Sequence, residues 1–127
     1  MIVADASAAV SALLHDGPAR ERFGDQSLHA PHLIDFEVAS ALRNNVLGGH
    51  LRTTNGEQAL ARWSKTAIER YPAGGLLPRI WELRANLTPY DAAYVALAEL
   101  LDAVLVTGDK RLSRSPGLRC RVQGHRG

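Results

Sequence analysis

The chain has 127 residues, of which 46% are hydrophobic and 22% charged, and its net charge is +2. These values are typical of one globular domain over residues 1–127 with its own core, and they exclude a low-complexity chain. No apolar stretch approaches the roughly 20 residues that span a bilayer, and no signal peptide is evident. Cys120 is the only cysteine, which excludes an internal disulfide and a thiolate metal site and fits a reducing cytoplasm.

Short apolar runs alternate with helical segments in the first half of the chain. The predicted elements are a strand over 1–4, a helix over 7–14, a helical piece over 19–23 and a strand over 27–30. Pro31 is expected to begin a helix that continues to about Asn45, because proline favours the first helical turn. Thr54 and Glu57 have the spacing of a capping box and predict another helix start.

The same alternation continues in the second half. The predicted elements are a helix over 76–86, a helix from Pro89 to about Leu101 with Thr88 as its cap, and strands over 104–107 and 118–122. The segment 66–71 either completes the preceding helix or forms a short strand. Strands that alternate with helices predict an α/β fold, in which helices cover both faces of a mainly parallel central sheet.

Four carboxylates lie at element boundaries or beside an apolar helical face. Asp5 follows the first strand, Asp109 follows the strand over 104–107, and Glu37 and Asp91 lie on helices. Ligands of a parallel sheet bind beyond the carboxyl ends of its strands, so we expect these acids to gather there. Clustered acids raise one another's pKa unless a cation compensates. Oxygen donors suit Mg²⁺ or Mn²⁺, and such a site favours phosphodiester hydrolysis.

Each carboxylate also has a structural interpretation. Asp5 or Ser7 could cap the following helix, although Ser7 could equally orient a metal-bound water. Taken alone, Glu37 is better explained as a surface residue favoured by the helix dipole. Asp91 has the position of the second residue of a capping box, and Asp109 could stabilise a tight turn. Sequence position alone therefore leaves both interpretations open.

The segment after Asp109 is basic and contains no further acid. Its basic residues, apart from a histidine, are Lys110, Arg111, Arg114, Arg119, Arg121 and Arg126. A basic flank beside an acidic metal site suits a polyanion, because the cations attract phosphates remote from the metal. We predict that Lys110, Arg111 and Arg114 bind substrate, and the alternative is a solvated basic tail.

Four segments together resemble the acidic motifs of PIN-domain proteins. They are residues 2–7, 37–42, 88–99 and 105–112. The resemblance spans nearly the whole chain, and the last two segments are the most specific. Within this family, the compact length and residues 83–87 resemble the VapC toxins of bacterial toxin–antitoxin systems.

The resemblance implies a PIN-like three-layer α/β sandwich with about four to five strands. It also implies a cytoplasmic Mg²⁺-dependent endoribonuclease, for which Mn²⁺ could substitute. Asp5, Glu37, Asp91 and Asp109 match the acidic residues of the family, which are its catalytic residues and metal ligands, and Thr107 matches the hydroxyl residue that assists them. The implied partners are RNA, a VapB-like antitoxin that inserts a segment into the active-site groove, and a second copy of the toxin.

Other functional classes fit the sequence less well. A receiver domain requires an acidic pair after the first strand, but Ala6 follows Asp5. A haloacid-dehalogenase-like phosphatase requires an aspartate where Ser7 stands. A catalytically inactive PIN-like module that binds RNA or protein is the remaining alternative, and the presence of all four acids argues against it.

Overall fold

The computed structural model describes residues 1–124, within which five strands alternate with seven α-helices. The strands are β1 (Ile2–Ala4), β2 (Leu28–Pro31), β3 (Glu69–Tyr71), β4 (Val104–Thr107) and β5 (Val122–Gly124). The helices are α1 (Ala6–Leu14), α2 (Pro18–Asp25), α3 (Ile34–Leu47), α4 (Thr53–Ser64), α5 (Leu77–Glu82), α6 (Pro89–Leu101) and α7 (Lys110–Ser113), and a 3₁₀ turn (Gly74–Leu76) precedes α5.

The strands form one parallel sheet in the order β3-β2-β1-β4-β5. Strands β2 and β3 lie on one side of β1, and β4 and β5 lie on the other side. This reversal of the strand order opens a crevice at the carboxyl ends of the two central strands. Ala4 pairs with Val106, and the Asp5 N–H donates to the Val106 carbonyl at 3.1 Å. This register brings the segments that follow β1 and β4 together.

Both faces of the sheet are buried. Val3 belongs to the larger hydrophobic cluster, whereas its neighbour Ile2 belongs to a smaller cluster with Leu28 and Val106. Since successive strand residues point to opposite faces, the two clusters lie on opposite sides of the sheet. Helix α6 is buried along residues 92–98, where small and β-branched side chains let it pack closely against β1, β2 and β4. The predicted α/β fold with a parallel central sheet covered on both faces is confirmed.

Two predicted helix starts are wrong. Pro31 is the last residue of β2 and pairs with Tyr71, so α3 begins only at Ile34. Strand β1 pairs with β2 only at Leu28 and His29, and the missing N–H of proline therefore costs no bond to β1. Helix α4 begins at Thr53 after an N-cap at Arg52 without a side-chain hydrogen bond, whereas the predicted capping box requires the cap at Thr54, two residues later.

The last predicted strand is shifted along the chain. Strand β5 is Val122–Gly124 rather than 118–122, because the register with β4 pairs Leu105 with Val122. Leu118 and Cys120 still pack against the core, so their alternation reflects burial of an extended segment rather than strand pairing. The ambiguous segment 66–71 ends in a strand, β3, parallel to β2.

The helix predicted over 76–86 is shorter than expected. Helix α5 ends at Glu82, and Leu83 and Leu87, which follow it, are buried. No helix within residues 1–124 is long and apolar enough to cross a membrane. Arg126, the last residue of the predicted basic flank, lies outside the described residues.

Candidate active site

Asp5 lies at the carboxyl end of β1 and caps α1. Its Oδ1 accepts hydrogen bonds from the Ala8 N–H at 3.0 Å and from the Ser7 hydroxyl at 2.6 Å. Its Oδ2 accepts a hydrogen bond from the Thr107 hydroxyl, which the pairing of β1 with β4 brings alongside. Asp5 is therefore the cap that the sequence left undecided between Asp5 and Ser7. The carboxylate is only partly buried, so capping and a role in a site are compatible.

Two hydroxyl groups join the segments that follow β1 and β4. The Ser7 hydroxyl, which donates to Asp5, accepts from the Gly108 N–H at 2.7 Å. The Thr107 hydroxyl likewise donates to Asp5 and accepts from the Asp109 N–H at 2.9 Å. Each hydroxyl is thus used both as donor and as acceptor, and together they fix the position of Asp5 relative to Asp109.

Asp109 follows β4 and pairs with Arg111. Its carboxylate accepts from the Arg111 backbone N–H at 2.9 Å, from Nε at 3.2 Å and from Nη2 at 3.1 Å. The hydrogen bonds with the guanidinium hold the pKa of Asp109 below its usual value. The Arg111 side chain is 88% exposed, so water screens the ion pair. Arg111, predicted to bind substrate, here neutralises one of the predicted metal ligands.

Asp91 lies in the first turn of α6, and its carboxylate accepts no hydrogen bond from residues 1–124. The Thr88 hydroxyl caps the helix by accepting from the Asp91 N–H at 3.2 Å. The reciprocal half of the predicted capping box is therefore not formed. Burial, followed by the negative charges of Asp109 and Asp5, raises the pKa of Asp91, against a smaller opposing effect of Arg111.

Glu37 lies in the first turn of α3 and accepts a hydrogen bond from a buried tyrosine. The Tyr94 hydroxyl donates to Glu37 Oε1 at 2.6 Å. Burial raises the pKa of Glu37, the Tyr94 hydrogen bond opposes this, and the charges of Asp91 and Asp5 raise it further. Burial and the hydrogen bond to Glu37 also raise the pKa of Tyr94, so its hydroxyl stays protonated. Glu37 is accordingly not the surface glutamate that its position alone favoured.

Sequence reasoning missed Tyr94. It is the one side chain with a hydroxyl in the buried stretch 92–98, and it lies three residues after Asp91. Residues three apart on a helix are neighbours on one face, and a buried tyrosine hydroxyl requires a polar partner. Those two facts, applied together, would have marked Tyr94 as a candidate residue without identifying Glu37 as its partner.

The four predicted carboxylates share one electrostatic neighbourhood. Asp91 and Asp5 act on Glu37, and Asp109 and Asp5 act on Asp91. Carboxylate oxygens suit Mg²⁺ or Mn²⁺, and a cation would offset this mutual repulsion. As arranged, no group of three or more His, Cys, Asp or Glu side chains within residues 1–124 is ready to hold a metal ion. The carboxylate oxygens are the type of ligand that such a cation prefers. Asp109 would have to release Arg111 in order to bind the cation.

Comparison with known proteins places the chain in a family. The family model of the PIN domain matches residues 2–118. The chain belongs to the PIN-domain family. It is 52% identical to ribonuclease VapC9 of Mycobacterium tuberculosis over 122 residues, which cover 96% of each chain. It is 41% identical to ribonuclease VapC1 of the same organism over 126 residues, which cover 95% of each chain. The predicted resemblance to VapC proteins is confirmed.

Solved structures share the PIN-domain architecture at low sequence identity. DNA-bound VapBC from Salmonella typhimurium aligns with a TM-score of 0.71 and 17% identity, over 98% of this chain and 99% of that chain. VapBC2 from Rickettsia felis, bound to a DNA fragment from the promoter, aligns with a TM-score of 0.70 and 14% identity, over 98% of both chains. These likenesses confirm the predicted fold.

Two of the predicted substrate-binding residues of this PIN domain, Lys110 and Arg111, lie next to Asp109. A cavity of about 280 Å³ adjoins Asp109 and is lined in part by Lys110 and Ser113. Lys110 and Arg114 are exposed, and neither side chain makes an ion pair within residues 1–124. Of the three predicted substrate-binding residues, Arg111 alone is engaged by a carboxylate.

Proposed function

We propose that this chain is a Mg²⁺-dependent endoribonuclease toxin, with residues 1–127 acting as one cytoplasmic PIN domain. Asp5, Glu37, Asp91 and Asp109 would hold the metal, and Mn²⁺ would substitute for Mg²⁺. The observation that carries this proposal is that acids from four separate segments lie in one electrostatic neighbourhood. Burial first, and the charges of the other acids second, raise the pKa of Glu37 and of Asp91 there. The identity to relatives named ribonuclease VapC supports the choice of RNA as substrate.

The chemistry would be hydrolysis of a phosphodiester bond by in-line attack of water, leaving a 5′-phosphate and a 3′-hydroxyl. When bound, the cation would activate water and neutralise charge on the phosphate oxygens. Ser7 and Thr107 keep Asp5 fixed, so that carboxylate needs little rearrangement. Asp91 accepts no hydrogen bond from residues 1–124 and is available to a ligand as it stands.

The exposed cations would bind phosphates on either side of the cleaved bond. Lys110 and Arg114 are free to do so, and Arg111 would become free once the metal pairs with Asp109. Neutralising Arg111, Arg114, Arg119 and Arg121 together should weaken RNA binding and flatten its salt dependence, since fewer counterions are released. An unchanged salt slope, measured by fluorescence anisotropy, would favour a solvated tail instead.

We also propose that a VapB-like antitoxin neutralises the enzyme. The supporting observation is that similar solved structures are VapBC complexes. The acidic group would attract an arginine or lysine of the antitoxin, since arginine pairs with carboxylates through two hydrogen bonds. Asp91 has no protein cation in hydrogen-bonding contact within residues 1–124, and we expect that side chain to be contacted first.

A homodimer completes the proposal. Several large apolar side chains are exposed on α3 and α5, among them Phe36, Leu77 and Trp81. Apolar surface of this kind is often covered by another protein. Light scattering of the purified chain should give the mass of two copies, and a monomer at all concentrations would contradict this part.

The activity is tested with purified protein and in cells. RNA should be cleaved with Mg²⁺ and left intact with excess EDTA. Expression should arrest growth, and co-expression of the neighbouring small protein should restore it. Asp5→Asn at equal protein level should not arrest growth. RNA binding without cleavage, under every metal condition, would instead identify an inactive binding module.

A further inference from the structure

Tyr94 is a buried tyrosine whose hydroxyl contacts the proposed metal site. Its side chain is 2% exposed and lies in a helix whose residues 92–98 are all buried. The hydroxyl reaches Glu37 Oε1 at 2.6 Å. A buried hydroxyl without a partner is costly, so the carboxylate and the phenol depend on each other.

This hydrogen bond joins the two helices that carry half of the proposed ligands. Glu37 lies on α3, and Tyr94 lies on α6 one turn after Asp91. Residues three apart occupy the same helical face, so Asp91 and the Tyr94 ring lie on the side of α6 that faces Glu37. The bond thereby fixes the position of Glu37 relative to Asp91.

We propose that Tyr94 is a positioning residue of the metal site, because its hydroxyl occupies Glu37 Oε1 and leaves Oε2 for the cation. Oε2 accepts no hydrogen bond from residues 1–124. This inference rests on the proposed function, since it assumes that Glu37 is a metal ligand. Hydrogen bonds of this kind orient ligating carboxylates, and their loss costs about 10- to 100-fold in metal affinity.

A purely structural role for Tyr94 makes a different prediction. If the hydrogen bond only helps α3 and α6 to pack, its loss lowers the melting temperature and leaves metal affinity unchanged. The two roles are therefore separated by measuring metal binding and stability on the same variants.

The test variant is Tyr94→Phe, which removes the hydroxyl and keeps the ring. Calorimetric titration of the full chain with Mn²⁺ should give a dissociation constant about 10-fold or more above wild type. At a limiting metal concentration kcat should fall while KM for RNA stays the same. The matched control is Val95→Ala, a fully buried position of the same helix. It should lower the melting temperature and leave the Mn²⁺ dissociation constant unchanged.

A double variant tests whether Tyr94 acts through Glu37. In a Glu37→Gln chain, adding Tyr94→Phe should weaken Mn²⁺ binding by less than about twofold, because the ligand that the hydroxyl positions is already lost. A full additional loss would overturn the proposal, since Tyr94 would then act by another route.

A spectroscopic signature serves if Tyr94→Phe does not fold. The chain has three tyrosines, so Tyr71→Phe with Tyr90→Phe leaves Tyr94 alone. Labelled with 3-fluorotyrosine, this chain should show a ¹⁹F resonance that shifts as Mg²⁺ is added. A resonance that Mg²⁺ does not move would overturn the proposal.

The outcomes distinguish this inference from the proposed function. If Tyr94→Phe binds Mn²⁺ as tightly as wild type while Asp91→Asn does not bind it, the inference fails and the metal site stands. If wild type itself binds no Mn²⁺, the proposed metal site fails and the inference fails with it.

Discussion

Helices α3 and α6 each carry two acids with opposite electrostatic surroundings. Helix α3 carries Asp35 and Glu37, and α6 carries Asp91 and Glu99. Asp35 and Glu99 are paired with arginines, and their pKa values are lowered. Glu37 and Asp91 are paired with no cation by hydrogen bonds within residues 1–124, and their pKa values are raised.

The paired acids fasten each helix to its surroundings. Asp35 accepts from Arg70 of β3 at 2.7 and 2.9 Å and from the Trp63 indole at 2.8 Å. Glu99 accepts from Arg79 at 2.7 and 3.1 Å. Burial is the largest single effect and would raise the pKa of Glu99. The hydrogen bonds from Arg79 and from the Arg119 N–H, together with the charges of these two arginines, outweigh it. Two-point pairing of this geometry is strong and directional.

Helix geometry explains how neighbouring acids differ so much. Asp35 and Glu37 are two residues apart and therefore point roughly 200° from each other around α3. Asp91 and Glu99 are separated by about 12 Å along α6, so they lie near its opposite ends. One side or end of each helix is anchored by an arginine, while the other presents an acid to the carboxyl edge of the sheet. The acids without a protein cation are the ones available to a ligand.

The largest effect is expected for Asp91→Asn, which removes a charge and keeps the shape. Cleavage should fall by roughly 100-fold or more, as expected when a group that stabilises the transition state is lost. The free energy of unfolding should not fall, because the Asp91 carboxylate accepts no hydrogen bond from residues 1–124 and is repelled by Asp109 and Asp5. RNA cleavage and chemical denaturation on the same preparation provide the measurement. Substantial destabilisation with normal turnover would make Asp91 a structural residue.

Glu99→Gln should show the opposite pattern. Arg79 is 18% exposed and would lose its nearest compensating charge, keeping only the longer pair with Glu82 at 3.6 Å. Removal of one partner from a largely buried pair costs about 3 kcal/mol of unfolding free energy. Cleavage per folded molecule, assayed well below the melting temperature, should match wild type. If cleavage fell as far as in Asp91→Asn, the division between anchoring and site acids would not hold.

The sequence predicted where Asp5 and Asp109 lie in the fold better than it predicted the anchoring pairs. The first depends on local chain order, and the second depends on contacts between distant segments. Asp5 and Asp109 could be located because each directly follows a buried strand, and parallel strands end at one edge. The Thr88 cap is equally local. The bonds from Arg70 to Asp35 and from Tyr94 to Glu37 join residues 35 and 57 positions apart, and they depend on how helices pack on the sheet. No single-chain pattern encodes that packing.

The strand at the C-terminal edge illustrates the same limit. Alternation over 118–122 predicted a strand, but Leu118 and Cys120 are partly buried without strand pairing, and the strand begins only at Val122. Where a strand starts is decided by its partner, in this case by pairing of Val122 with Leu105. Periodicity reports burial and does not report register.

Titration of the metal-free chain should separate the two classes of acid by pH. A carboxyl whose pKa is higher in the folded state than in the unfolded state adds stability at low pH, and this stability is lost as the pH rises through the folded-state pKa. Glu37 and Asp91 are of this type. A carboxyl whose pKa is lower in the folded state adds stability near neutral pH, and this stability is lost as the pH falls through the folded-state pKa. Asp35 and Glu99 are of this type.

The unfolding free energy in EDTA should therefore rise modestly from neutral pH toward about pH 4–5, near the ordinary carboxyl values, and fall at lower pH. Asp91→Asn should flatten the rise, and Glu99→Gln should flatten the acid loss. Denaturant melts across the pH range give both slopes. An identical profile in all three proteins would show that Asp91 and Glu99 do not control the pH dependence of stability.

The smallest effect is expected for Arg111→Ala, which removes the cation that already contacts the carboxylate group. Arg111 donates to both oxygens of Asp109 and would compete with the metal for them. An exposed ion pair is weak, so its loss should tighten Mn²⁺ binding by only about two- to fivefold. The same change should weaken RNA binding, because one phosphate-attracting charge is lost.

Arg111→Ala is informative despite its small effect, because the affinity for Mn²⁺ should rise while the affinity for RNA should fall. Arg114→Ala is the matched control, since Arg114 is exposed and makes no ion pair within residues 1–124. It should weaken RNA binding and leave the Mn²⁺ dissociation constant unchanged. If Arg111→Ala weakens both, then Arg111 supports the metal site rather than competing with the cation. Asp109 would then belong with the anchoring acids, and Arg111 would be its structural partner as Arg70 is for Asp35.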